Sequence, residues 1–196
     1  MSMNRAYLLF SQWGFAPSYF VCINGLVLEQ FHEDIVQLPM PKFLNFTHRK
    51  LFDISHCDGT LIFLKLALAI NDGFSADITK QIYSGGTVTY ASLQLAYYMG
   101  FKEVVLIGLD HSFVEKGKAN KIVVRTEDKD ESHCHPNYFP KGIKWGLPDL
   151  YRSEIAYSLA KETFEADGRR IIDATVDGQC NVFPKGKFDE LVKNHF

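Results

Sequence analysis

Between Tyr83 and Phe101 the chain carries no charged side chain. A stretch of that length able to form a helix has to be covered on most of its surface, which in a protein of ordinary composition means packing against a sheet. The flanking residues supply the sheet. Ile82 to Ser84 reads as a strand end, Ser84-Gly85-Gly86-Thr87 as a tight turn and Thr87 to Tyr98 as a helix. Gly100 is its left-handed stop, and Val104 to Ile107 is a β-branched, continuously apolar strand running into Gly108-Leu109-Asp110-His111. The whole from Gln81 to Phe113 is a βαβ unit.

The polar residues of this unit gather at the helix N-terminus and at the carboxyl end of the following strand, the two places where open parallel sheets bind ligands. The backbone N–H groups of Gly85, Gly86 and Thr87, with the helix dipole behind them, suit a phosphate. SGGT alone also reads as a plain tight turn. The acidic strand end at Asp110 is what turns the pattern toward a site.

With 196 residues the chain has room for one substantial core, and a single domain spanning 1–196 is expected. Its 21 basic against 23 acidic residues give a net charge of -2, which offers no broad electrostatic footing for nucleic acid. The uncharged run is the one membrane candidate; its three glycines, two threonines, two serines and glutamine argue for burial in protein, so no transmembrane segment is expected. The four cysteines (Cys22, Cys57, Cys134, Cys180) are widely spaced and no signal peptide precedes them, which points to a reduced, cytoplasmic setting. Sixteen phenylalanines and nine tyrosines call for a large aromatic core or an aromatic-lined cleft.

Along the chain, Asn4 to Trp13 reads as a first helix capped by Asn4 and stopped by Gly14, Ser18 to Ile23 as a strand, and Leu26 to His32 as a helix after Asn24-Gly25. Lys42 to Phe46 and Thr60 to Leu64 read as short strands around a His- and Asp-rich region (His48, Asp53, His56, Asp58), and Phe74 to Lys80 as a connection. Residues 111 to 146 lose periodicity and read as an irregular loop or lid, with a short edge strand at Ile122 to Val124. Pro148 and Asp149 open a long helix with Ile155, Ala156, Leu159, Ala160 and Phe164 in a stripe and Gly168 at its end. Arg170 to Asp173 is a last strand, and Lys187 to His195 a terminal helix. This alternation specifies an α/β domain, Rossmann-like, with a mostly parallel sheet flanked by helices. The strand that usually opens such a domain is not evident before Asn4, so the chain reads as N-terminally truncated.

The order and spacing of NRAYLLF, APSYFVCINGLVLEQF, the SGGT to GLDHSF stretch, HPNYFPKGIKWGLPDLYRSEIAYSLAKETFEADGRRIIDAT and VFP resemble the MptE-like family over nearly the whole chain. That family is similar in fold to the bacterial sialyltransferases that use CMP-sialic acid, and it includes an archaeal pterin pyrophosphokinase and domains of flagellin-modifying proteins. By that resemblance Asn4 and Asn24 match asparagines that contact the donor, and Ser84, Gly85 and Gly86 match a nucleotide-binding turn; Asp110 matches the strand-end aspartate. Three departures stand out. Ser112 replaces the tyrosine expected after Asp110, no histidine lies a few residues before the long helix, and the GNGPS-like first strand is absent.

Glycosyl transfer from a nucleotide sugar needs a base for the acceptor hydroxyl and neutralisation of the departing phosphate. His111, His133 and His135 are the candidate bases, with Asp110 beside them; Tyr138 and the amides of residues 84–87 are candidates at the phosphate. Each histidine also reads as a solvated loop residue or a structural hydrogen-bond former. Pyrophosphoryl transfer from ATP would instead need Mg²⁺, with Asp110 as a ligand and Asp128 or Asp130 as helpers, although the TEDKDE run also reads as a solvated charged loop. No cofactor is otherwise called for. His133, Cys134, His135 and Cys180 are zinc-ligand types whose spacing fits no standard motif, and no metal site is assigned.

The reading is a transferase with a nucleotide or nucleotide-sugar donor and a small-molecule or glycan acceptor, most simply a glycosyltransferase in surface-glycan or flagellin modification. The alternatives are a pterin pyrophosphokinase-like enzyme and an inactive nucleotide-binding remnant. Homo-oligomerisation is left open.

Overall fold

The computed structural model describes residues 1–68, 73–115 and 117–193. It is an α/β protein. Strands β1 (Ser2–Met3), β2 (Phe20–Cys22), β3 (Lys42–Asn45) and β4 (Leu61–Leu64) form a parallel sheet in the order β1-β2-β3-β4, continued by a single parallel bridge from Leu66 to Ile82. A two-residue strand, β1, thus occupies the edge ahead of Asn4, where the sequence shows none.

Between β1 and β2 runs a 3-10 turn (Ala6–Leu9) and then a four-residue helix, α1 (Phe10–Trp13), closed by Gly14 at φ +70°. Asn4 does not cap it: its φ of +48° places it in the left-handed region, and the turn has no side-chain cap. Helix α2 (Gly25–Val36) follows β2 and runs four residues beyond the expected end. Asn24 caps it, Oδ1 accepting from the N–H of Leu26 at 3.0 Å and of Val27 at 3.4 Å. The His- and Asp-rich region after β3 folds as two 3-10 turns (Phe46–Leu51 and Ile54–His56), each capped by an Asx side chain, Asn45 and Asp53.

Helix α3 (Val88–Tyr98) is capped by Thr87 and has seven consecutive buried residues from Tyr90 to Ala96, as its lack of charge requires. Gln94 is buried within it and fully satisfied. Its Oε1 accepts from the N–H of Ser75 and Tyr83, and its Nε2 donates to the carbonyls of Tyr83 and Tyr90. The backbone of Tyr83 is therefore paired by a side chain instead of a strand, which is why the expected strand at Ile82 to Ser84 is reduced to one bridge.

Strand β5 (Glu103–Leu106) begins one residue earlier than expected and pairs in parallel with β8 (Arg170–Asp173). Among the described residues this pair shares no ladder with β1–β4. Helix α3 joins the two halves. Ala91 and Leu95 pack with Val21, Phe43 and Leu64, while Tyr90 and Leu93 pack with Ile171 and with helix α4 (Leu150–Ala166). Asp149 caps α4, accepting from the N–H of Arg152 at 3.1 Å, so Pro148 lies before the cap and not at the first helical position.

Residues 111 to 146 carry more order than their sequence suggests. Strands β6 (Ile122–Val124) and β7 (Lys144–Gly146) pair antiparallel, and Tyr138, Phe139 and Trp145 are buried in the same cluster as α2. Tyr138 and Phe139 project from a turn and Trp145 from a three-residue strand, so they leave no period in the sequence. The last helix, α5, covers Phe188–Lys193; the remainder of the expected terminal helix lies outside the described residues. No helix among the described residues is long and apolar enough to cross a membrane.

Candidate functional site

The carboxyl ends of the parallel strands bring one asparagine each to a common edge: Asn4 after β1, Asn24 after β2 and Asn45 at the end of β3. Their roles differ. Asn24 is spent on capping α2, and Asn45 caps the next turn while donating to the carbonyl of Ile23 at 3.2 Å. Asn4 keeps a buried Oδ1 with no hydrogen-bond partner among the described residues, and it lines no part of the cleft at Asp110 and His133.

Next to Asn4, the side chain of Arg5 is buried against the ring of Phe31, 3.7 Å from its centroid, and donates to the carbonyls of Asn137 and Tyr138. The backbone N–H of Arg5 donates to the Tyr138 hydroxyl at 3.3 Å. Tyr138 is thus held in the interior, where burial pushes its phenol well above the ordinary range. Its ring stacks flat on that of His133, with centroids 4.3 Å apart and planes 3° from parallel.

His133 in turn forms one wall of an open cleft of about 450 Å³. It is lined by two segments, Asp110, Ser112, Phe113 and Val114 from one and Glu131, Ser132, His133 and Cys134 from the other. Asp110 is solvent-exposed at the end of β5, its carbonyl accepting from the N–H of Gln179 at 2.9 Å. Among the described residues the cleft lining contains two carboxylates and neither lysine nor arginine. It suits a neutral or hydrogen-bond-donating group better than a bare phosphate.

The other two histidines sit differently. His111, at φ +55°, turns its side chain inward to 6% exposure, with Nε2 3.0 Å from Glu154 and its ring 6.1 Å from that of Tyr157. His135 lines no part of the cleft and accepts the N–H of Asn137 at Nδ1, closing a local turn.

The turn at residues 84–87 does not line the cleft either, but it is linked to the strand end beside it. Thr87 Oγ1 lies 3.3 Å from the hydroxyl of Tyr157, whose ring is the neighbour of His111. The N–H of Thr87 donates to Ser84 O at 3.0 Å and is consumed by the turn. Gly85 is buried where a Cβ would meet the Tyr90 ring at 2.4 Å and Ala156 at 2.6 Å, so its place in the motif is set by packing. Gly86 is exposed at φ +75° beneath the side chain of Arg152. Burial raises the Tyr157 phenol, keeping it a neutral hydroxyl at the turn.

Asp130, which the sequence marks only as a candidate Mg²⁺ helper and otherwise as one charge of the solvated TEDKDE run, sits differently from either reading. Its side chain is fully buried against His133. The i,i+3 spacing from Asp130 to His133 was the available signal. Arg5, Glu154 and Tyr157 gave none, because their partners are distant in the chain. Of the zinc-type residues, His133 is paired with Asp130 and Cys180 is in the core around Phe164. Among the described residues no three such side chains converge.

No curated protein and no solved structure matches this chain. A family model does, covering residues 1–116, which carry β1–β5, α3, the 84–87 turn and the Asp110 wall of the cleft. That model describes 6-hydroxymethylpterin diphosphokinase MptE-like proteins, and with more than half its length matched the chain belongs to the MptE-like family.

Proposed function

We propose that the chain is a transferase that binds a nucleotide-phosphate donor and passes a group to an acceptor hydroxyl held in the cleft between Asp110 and His133. The observation that carries this reading is that in a protein of this family a histidine and the aspartate that follows β5 line one cleft. His133 takes the acceptor proton as the acceptor oxygen attacks the donor, and the bond to the departing phosphate breaks. The acidic lining supports reading the cleft as the acceptor side. The donor lies toward the 84–87 turn, where the exposed Gly86 and the Arg152 side chain beside it border the α3 N-terminus. With a nucleotide sugar as donor the reaction is glycosyl transfer onto a surface glycan or flagellin-type acceptor.

A second reading, pyrophosphoryl transfer from ATP to a pterin-like alcohol, is favoured by the family description and by Asp110 and Glu131 lining the same cleft. Hard oxygen ligands of this kind, one or two carboxylates completed by phosphate, are what Mg²⁺ takes. Asp110 and Glu131 would hold the ion, which when bound neutralises charge on the transferring phosphates.

Thermal shift against CMP, CDP, UDP, ATP with and without Mg²⁺, and pterins separates these readings. A ligand at a hundred times its dissociation constant stabilises by about 2.7 kcal/mol. Stabilisation by CMP, CDP or UDP supports glycosyl transfer, and stabilisation by Mg-ATP with a pterin supports the second reading. No response to any nucleotide overturns both and leaves a non-catalytic remnant.

A further inference from the structure

The Asp130 carboxylate is enclosed: its side chain has no exposure, and four donors surround it. Oδ1 accepts from the N–H of Ser132 at 2.9 Å and Oδ2 from the N–H of Phe139 at 3.1 Å; Arg125 Nη2 lies 4.0 Å away. The fourth donor is the His133 ring, whose Nδ1 is 3.0 Å from Oδ1 and 2.9 Å from Oδ2. Besides stacking on Tyr138, that ring is braced edge-on by Phe139 at 5.0 Å, Phe113 at 5.7 Å and Trp145 at 5.8 Å. Its orientation is fixed by four aromatic neighbours and one carboxylate, while among the described residues Nε2 has no hydrogen-bond partner.

We infer that Asp130 is the positioning residue of this site, holding His133 in the Nδ1–H tautomer so that the lone pair of Nε2 is presented to the acceptor hydroxyl. An ionised carboxylate only accepts, so the ring nitrogen facing it carries the proton and the other nitrogen of the neutral imidazole is the base. When Nε2 takes the acceptor proton, the resulting imidazolium keeps its Nδ1–H on Asp130, and the carboxylate offsets the new charge without moving. The inference rests on the reading of His133 as base.

The test is nitrogen-15 NMR of histidine-labelled full-length protein near neutral pH, with His133 assigned through His133→Gln. It is paired with nucleotide release from CMP- and UDP-sugars and from Mg-ATP. The expected result is Nδ1–H in the wild-type protein and, in Asp130→Asn, a shift toward Nε2–H with kcat lowered about 10²-fold at nearly unchanged KM. A purely structural Asp130 would lower stability and leave the tautomer of the folded fraction alone. Because each carboxylate oxygen serves a backbone N–H, Asp130→Asn loses one of these bonds; if it does not fold, the wild-type spectrum decides. An Nε2–H wild-type ring overturns the positioning role by itself. Turnover retained in His133→Gln overturns instead the base reading beneath it.

Discussion

Arg5 and Tyr138 are joined twice, once by the arginine N–H donating to the tyrosine hydroxyl and once by the guanidinium donating to the tyrosine carbonyl. The contact ties the start of the parallel sheet to the segment that carries His133, so the geometry of the cleft depends on a residue far from it in the chain.

Arg5→Ala is expected to lower stability by about 2–3 kcal/mol, since the carbonyls of Asn137 and Tyr138 lose a charged donor in the interior. Amide exchange should rise across residues 125–147 before it rises in α3. Arg5→Lys is expected to recover little, because an ammonium cannot serve both carbonyls and lie flat on Phe31. Unchanged exchange in the 125–147 segment would show that the contact does not hold it.

The two glycines of the SGGT turn are expected to differ. At Gly85 both the backbone (φ +54°) and the space oppose a side chain, so Gly85→Ala should cost about 2–4 kcal/mol in urea denaturation. At Gly86 only the backbone opposes it, the nearest atom being Arg152 Cδ at 3.6 Å, and Gly86→Ala should cost about 1 kcal/mol. Equal losses would refute the packing account of Gly85.

Thiol labelling should follow exposure, with Cys134 reacting first and Cys22 and Cys180 reacting only as the protein unfolds. Burial pushes the Cys22 thiol up from 9.0 to about 12. An acid whose folded value is raised contributes stability that is complete below the unfolded value and declines as pH rises toward the folded one. Stability should therefore fall between about pH 9 and 12, and more shallowly in Cys22→Ala. Rapid labelling of Cys22 in native buffer would contradict its burial.

At the acid end the group to watch is Glu115. Burial would raise its carboxyl, but hydrogen bonds from Ser132 and the buried Arg125 outweigh it and hold it below its ordinary 4.5. A depressed acid contributes stability above its unfolded value and loses it as pH falls through the folded one. Melting temperatures taken from pH 6 down to pH 3 should drop less steeply in Glu115→Gln than in wild type below about 4.5. Parallel curves would mean that Glu115 contributes nothing to this titration.

The fold was legible wherever periodicity or capping chemistry is local. The uncharged α3, the glycine exits at Gly14, Gly100 and Gly168 and the strand at Arg170 to Asp173 stand where the sequence places them. Asn4 was misjudged as a cap because asparagine serves equally well in a left-handed bend. Of the residues the sequence singled out, Asp110 and His133 line one cleft, whereas His135 and the 84–87 turn do not. Asp130 was named only as a candidate ion ligand, and its pairing with His133 was not legible because a buried carboxylate and a solvated one look alike in sequence; only enclosure by Ser132, His133 and Phe139 separates them.

Because, among the described residues, β1–β4 and the β5/β8 pair share no ladder and meet across α3, the protein's thermal cooperativity leans heavily on that helix. Shaving that helix on a single side, for instance Leu93→Ala against the α4 half, would uncouple the two blocks in calorimetry, splitting one endotherm into two. The cleft draws Asp110 from the chain after β5 and His133 from a segment packed through Tyr138 on the β1–β4 side, so it would then come apart at a temperature where most of the secondary structure still survives.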